Sequence, residues 1–162
     1  MSAQIEATLD ALVSKLSANL NAKIDAINTE TADEYGLDYP ASITAGIRNQ
    51  TDFPRIFVLP EGTVTESDAA SDVVWRHRVR VVAFVAEWDE GALMRKLIRY
   101  QRAVREVCLS KRSPGTGGGF GIIHISDEYG PVFQPDPEGG PSSEFVQGAA
   151  SLFDVRQNEV VP

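Results

Sequence analysis

Histidine, cysteine, serine and carboxylate side chains carry most acid–base, nucleophilic and metal chemistry, and in this sequence they form no short motif. The chain of 162 residues contains two histidines, His77 and His124, and one cysteine, Cys108. The three could in principle meet at a zinc ion, but they lack the short ligand spacing of structural zinc sites. Both histidines fall in predicted strands, and Cys108 falls on the apolar side of a predicted helix. We therefore predict that they are structural residues and that the protein holds no metal and no cofactor.

A glycine-rich run at residues 115–121 is the obvious candidate for a phosphate-binding loop. A P-loop needs Lys-Ser or Lys-Thr directly after its last glycine and then a helix, whereas this run contains no lysine and leads into a predicted strand. A dinucleotide-binding fingerprint would need its third glycine at position 120 or 122, where the chain has Phe120 and Ile122. The run is therefore predicted to be a flexible connection.

Serine nucleophiles have no local signature in this chain. The G-x-S-x-G nucleophile elbow is absent, although a Ser-His-Asp triad stays open because its members can come from any part of a sequence. The acidic pairs Asp33-Glu34 and Asp127-Glu128 fall in predicted loops and are typical of solvated turns. The sequence therefore predicts a protein that is not an enzyme.

Charge is distributed unevenly along the chain, which has a net charge of −8. Residues 1–75 carry a net −8, residues 76–112 a net +6 and residues 113–162 a net −6. An acidic chain is poorly suited to sequence-independent DNA binding, which gains affinity by neutralising phosphates. Separate acidic and basic faces favour head-to-tail self-association, and the alternative is that these charges only solvate the surface.

Three arginines alternate along one predicted strand, so Arg76, Arg78 and Arg80 should share one face of a sheet. A row of like charges is mildly destabilising, which favours a contact surface for acidic loops of a neighbour or for nucleic acid passing nearby. The alternative is a solvated strand face. We assign a subunit or partner interface to these three arginines and to further charged residues on a basic helix and a late loop: Arg95, Arg99, Arg102, Asp136 and Glu138.

Two helices are predicted to position these residues. Apolar residues recur at three- and four-residue steps over residues 3–27, which predicts a long amphipathic helix. A second helix is predicted over residues 90–111, with a basic outer surface and an apolar stripe. That stripe consists of Leu93, Met94, Leu97, Ile98, Gln101, Val104, Val107 and Cys108.

The strands are predicted between and after these helices. The strongest strand signal covers residues 73–87, whose second half is apolar on both faces. We therefore expect a helix to cover one side of this half and something else, such as another subunit, to cover the other side. Residues 61–72 are predicted as a loop with some strand at its start, and residues 127–130 as a turn. The remaining strands are predicted at 42–49, 55–60, 120–126 and 143–157.

Together these elements predict one α+β domain over residues 1–162. A mixed or antiparallel sheet would be flanked by the long N-terminal helix and the central basic helix, with a C-terminal β-hairpin that projects from the body. A stiff polar loop at 135–141 would join the hairpin strands. We expect that loop to be mobile in the free protein and ordered by a partner.

Targeting signals are not evident in the sequence. Residues 1–6 lack the basic and apolar regions of a signal peptide. The longest nearly apolar run, residues 79–86, contains Arg80 and is too short to span a bilayer. We expect a protein made in the cytoplasm that has no membrane partner.

In the order and size of its elements, the chain resembles the tail terminator, or tail completion, proteins of long-tailed bacteriophages. The resemblance covers nearly the full length and includes no diagnostic short motif; other small neck proteins share the plan. Its features are a helix at 5–27, Tyr39-Pro40 before short strands, Phe53-Pro54 before Arg55-Ile56-Phe57-Val58, a strand at 75–87, a basic helix at 92–109 and a hairpin ending at 149–155.

The resemblance implies a non-enzymatic ring, usually of six subunits, that caps the tail tube and stops its polymerisation. The implied partners are further copies of the chain, the tail tube protein and the head connector, with genomic DNA passing through an acidic bore without specific binding. The implied location is the virion neck, after assembly in the host cytoplasm. The alternatives are a small ligand-binding or enzymatic α+β domain, or another neck adaptor that forms no ring.

Overall fold

The computed structural model describes residues 2–48, 52–68, 72–110, 121–133 and 144–160. Within these residues the chain forms two helices and five strands, and the strands lie in one sheet of order β1-β2-β3-β5-β4. β1 and β2 are parallel, and the other neighbouring strands are antiparallel. The predicted α+β fold with a mixed sheet is confirmed. The elements are α1 (Ser2–Thr31), β1 (Ser42–Ala45), β2 (Arg55–Asp68), β3 (Asp72–Glu87), α2 (Glu90–Leu109), β4 (Gly121–Phe133) and β5 (Phe145–Val160).

α1 continues four residues beyond the predicted end at residue 27, because neither glycine nor proline interrupts it. It stops at Ala32, whose positive φ of 45° leaves the helical region, while the Ala32 amide still donates to Asn28 O. The apolar stripe of α1 is buried, as its periodicity predicts. The buried members are Leu9, Leu12, Leu16, Leu20, Ile24 and Ile27.

The core lies between both helices and one face of the sheet. On β3 the residues that alternate with the arginine row face this core, since Val79, Val81, Ala83 and Val85 are all buried. β5 contributes inward residues of the matching parity, such as Phe153, which is fully buried. Burying a large apolar side chain stabilises a fold by roughly 1.5–3 kcal/mol, so this layer of helices on one sheet face dominates the stability. The opposite face of the sheet is called here the open face.

α2 ends at Leu109, two residues before the predicted end. Asp89 caps its start by accepting from the Ala92 amide at 2.7 Å, and Ser110 caps its end. The assignment of Met94 and Ile98 to the buried stripe is wrong, because they are 38% and 50% exposed. Tyr100 and Ala103 are buried instead, since the helix packs against both α1 and the sheet.

The turn predicted at 127–130 is wrong, and the strand predicted at the start of residues 61–72 extends further than expected, because strand pairing overrides the polar sequence of both segments. The segment Glu61–Asp68 belongs to β2 and pairs with β3, with a register shift between Pro60 and Gly62 that accommodates the proline. Residues 127–130 lie inside β4, whose pairing with β5 shifts register between His124 and Ser126 and again between Tyr129 and Val132. β1, in contrast, is shorter than predicted, and Gly46 follows it with a φ of +78°.

The C-terminal hairpin is confirmed, since β4 and β5 pair antiparallel. β5 also pairs with β3 along its whole length, so the strands of the hairpin are part of the sheet and do not project from it as expected. The joining loop at 135–141 lies outside the described residues. Neither described helix has a stretch that is apolar and long enough to cross a bilayer.

Candidate interaction surface

The residue types of a hydrolytic triad do meet, on β4 and β5, but in the wrong order. Ser151 Oγ donates to Asp127 Oδ1 at 2.7 Å, and His124 Nε2 lies 2.9 Å from the same oxygen. Arg105 of α2 donates to Asp127 Oδ2 at 2.6 Å. Catalysis would need the imidazole between serine and carboxylate, so that it can take the hydroxyl proton. Here the carboxylate lies between them, and Ser151 is buried. The cluster instead ties α2 to the sheet, because Arg105 of α2 binds the same carboxylate.

The other groups with possible chemistry are inside the core. Cys108 is 1% exposed, and burial raises the pKa of its thiol to about 12, which leaves it protonated and unreactive. His77 is fully buried, with Nδ1 3.0 Å from Thr63 Oγ1, and burial lowers its pKa. Among the described residues, no group of three or more His, Cys, Asp or Glu side chains could hold a metal ion.

The basic surface of α2 is largely paired within the chain. Arg99 donates to Asp33 at 2.8 Å and to Tyr35 O at 2.6 Å, and its guanidinium lowers the pKa of Asp33 to about 2. Arg102 makes a two-point contact with Glu30, at 2.7 and 3.0 Å. The acidic end of α1 and the connection after it thus neutralise cations that look unmatched in the sequence. Such exposed pairs contribute little to stability, because solvent and salt screen them.

The predicted interface residues therefore lie in different environments. Arg95 is exposed, with its guanidinium carbon 4.8 Å from the centre of the Tyr35 ring. Asp136 and Glu138 lie outside the described residues. For these residues, as for Arg99 and Arg102, an interface role stays a prediction.

The arginine row lies on the open face, as the alternation predicts. Asp154 of β5 contacts two of these arginines. Its Oδ1 lies 3.2 Å from Arg78 Nε, and its Oδ2 lies 4.0 Å from Arg76 Nε. Arg80 lies between Glu61 and Glu128 and contacts both. Sequence reasoning missed Asp154 as a neighbour, because the pairing of β3 with β5 joins residues far apart in the chain.

Beside this row the open face is apolar and forms a groove of about 280 Å³. Phe84 lies in its floor, edge-on to Phe57 with ring centroids 5.6 Å apart. Gly148 makes room for the Phe84 ring, since a Cβ there would lie 2.9 Å from a ring carbon. The helix-covered side of β3 is as predicted, whereas the other side opens to this groove. Its apolar lining includes Ile47, Leu59, Val82, Phe84, Tyr129 and Phe133.

β4 adds an apolar border to this face. It pairs with β5 on one side, and within the described residues its other edge pairs with nothing. Long apolar edge strands are prone to pair with another chain. Its exposed large apolar side chains are Ile123, Ile125, Tyr129, Val132 and Phe133.

Comparison with known proteins gives a likeness of fold. No protein-family model matches the chain, and no curated protein matches its sequence. Among solved structures, it is similar to a chain of the virion of a native gene transfer agent (GTA) particle, with a TM-score of 0.52 and 12% identity. The match covers 93% of this chain and 94% of the other. The two chains therefore share an α+β fold over nearly their whole lengths.

Proposed function

We propose that this protein is a structural component of a phage-like virion and that it acts as a tail terminator. In this role it forms a ring on the end of the tail tube, stops tube polymerisation and joins the tail to the head connector. The observation that carries the proposal is the full-length fold similarity to a chain of a gene transfer agent virion. The element order of the fold, which is a helix, three strands, a helix and two strands, also supports the proposal.

The described residues support an assembly role over catalysis. Asp127, His124 and Ser151 have catalytic side-chain types but hold the sheet to α2. The open face offers arginines and an apolar groove at one surface, and exposed apolar patches with polar borders are typical of protein contacts.

The partners in this proposal are other copies of the chain, which form a ring of six as the resemblance to tail terminators implies, together with the tail tube protein and the connector protein. Genomic DNA would pass through the ring without specific binding, since an acidic chain does not gain affinity from phosphates. The protein would then be located in the neck of the virion.

Purified tail tube protein from the same particle provides the test. Tubes grown with this protein should be shorter than tubes grown alone, and electron microscopy should show a ring at one end. Tubes of unchanged length with bare ends would overturn the proposal.

The groove on the open face supports a second candidate, a small ligand-binding domain. Its volume of about 280 Å³ is at the lower limit of ligand pockets, which span roughly 300–1,000 Å³. A thermal-shift screen of small molecules, repeated with Phe84→Ala, separates the candidates. Saturable stabilisation that the variant loses would favour ligand binding.

A further inference from the structure

Two exposed arginines, Arg78 and Arg156, lie near each other on the open face. Asp154 is the carboxylate that both Arg76 and Arg78 approach. Arg156 of β5 lies directly opposite Arg76 across the β3–β5 pairing, is exposed and makes no ion pair within the described residues. Like charges directly opposite in a sheet are destabilising. We name Arg78 and Arg156 the sheet cluster.

α1 carries two exposed carboxylates of the opposite charge. Glu6 and Asp10 are exposed, lie four residues apart on one side of the helix and form no ion pair within the described residues. Like charges at this spacing destabilise a helix. The side of α1 that contains Leu9 and Leu12 is buried against the core, and the two carboxylates lie beside this stripe on the exposed surface of the helix. We name them the helix pair.

We propose that the helix pair of one copy docks on the sheet cluster of the next, so that copies associate head to tail. The two groups lie on opposite faces of one molecule and cannot meet within it. Carboxylates at i and i+4 project from Cβ atoms about 6 Å apart, and Arg78 and Arg156 are diagonal neighbours about 7 Å apart, so one carboxylate can meet each guanidinium. Repeated contacts between two different surfaces give rings when the rotation closes.

This inference rests on the proposed assembly function and deepens it by naming the self-association surface. The contact is electrostatic and exposed at its rim, so salt should weaken it, since the Debye length is only about 10 Å at 0.1 M ionic strength. The neighbouring groove would lie at the border of the contact.

Charge reversal tests the pairing of these two surfaces. One variant carries Arg78→Glu and Arg156→Glu, a second carries Glu6→Lys and Asp10→Lys, and a third carries all four changes. Molar mass by light scattering should show oligomers of the wild type, with self-association weakened at least about tenfold in the first two variants. The third variant, or an equimolar mixture of the first two, should recover association, because the reversed charges again match.

Arg48→Glu is the matched control, since Arg48 is exposed and lies on neither surface; it should associate like the wild type. Circular dichroism checks that each variant keeps its fold. A wild type that stays monomeric up to about 1 mM, where even weak contacts associate, overturns the inference. So does a third variant that associates no better than the first two.

Two further outcomes separate this inference from the proposed function and from nucleic-acid binding. If the protein caps tail tubes and neither charge reversal changes capping or association, the proposed function stands and this interface is wrong. Binding of a duplex DNA fragment that Arg78→Glu abolishes and Glu6→Lys leaves unchanged would assign the sheet cluster to nucleic acid instead.

Discussion

At the residue scale, the Asp127 carboxylate is the hydrogen-bond acceptor that its neighbours share. It accepts from Ser151 on one oxygen and from Arg105 on the other. The sequence places Asp127 in an acidic pair typical of a turn, and only the register of β4 on β5 brings it to Ser151. A local pattern could not predict this cluster, because its members come from three elements.

Replacing Asp127 by alanine should therefore destabilise the fold. The buried Ser151 hydroxyl would lose its acceptor, and an unsatisfied buried polar group costs about 1–3 kcal/mol. The measurement is the free energy of unfolding from urea titration. Glu128→Ala is the matched control, because Glu128 is exposed and its contact is with Arg80; equal losses in the two variants would contradict the prediction.

His77 should make stability depend on pH in mild acid. Burial lowers its pKa from the ordinary 6.5. In mild acid the unfolded chain therefore binds a proton at this residue more readily than the folded protein does. Its contribution to stability is present above pH 6.5 and is lost as pH falls through the lowered folded pKa. Urea midpoints at a series of pH values should fall over this window in the wild type. His77→Leu should lack that fall, and parallel curves would contradict the assignment.

At the element scale, the long periodic segments could be predicted, and the segments defined by their partners could not. α1 and β3 follow from spacing alone, because one face of each is buried. Residues 61–68 look like a loop but are held in β2 by pairing with β3. On α2, the pairing of Arg99 with Asp33 depends on how the helices pack, so the sequence predicts a basic surface that the fold largely neutralises.

The close pairing of β3 and β5 can be tested at Gly148. Its Cβ would meet the Phe84 ring at 2.9 Å, so Gly148→Ala should destabilise the sheet by about 1–3 kcal/mol through overpacking. Thermal unfolding provides the measurement. Gly62→Ala is the control, since no atom lies near its Cβ position. Adding Phe84→Leu should recover part of the loss, and a further loss would count against this explanation.

At the scale of the whole molecule, one sheet face is covered by both helices and the other is left to arginines and a groove. Changing Arg76, Arg78 or Arg80 to glutamate should weaken assembly and leave the fold intact, because each side chain lies on the open face. Molar mass by light scattering measures assembly, and circular dichroism measures folding. Unchanged assembly in all three variants would remove the interface role from this row.

The position of β5 has a consequence for how the protein is made. β5 follows every other described element along the chain, yet it lies between β3 and β4 in the sheet. β4 therefore has no neighbour in the sheet until residues 145–160 have left the ribosome, and its apolar edge stays unprotected during that interval. Pairing between distant segments is slow and exposes intermediates to aggregation. Translation that halts before residue 145 should thus yield an incomplete sheet with an exposed apolar edge, which is prone to aggregation and degradation.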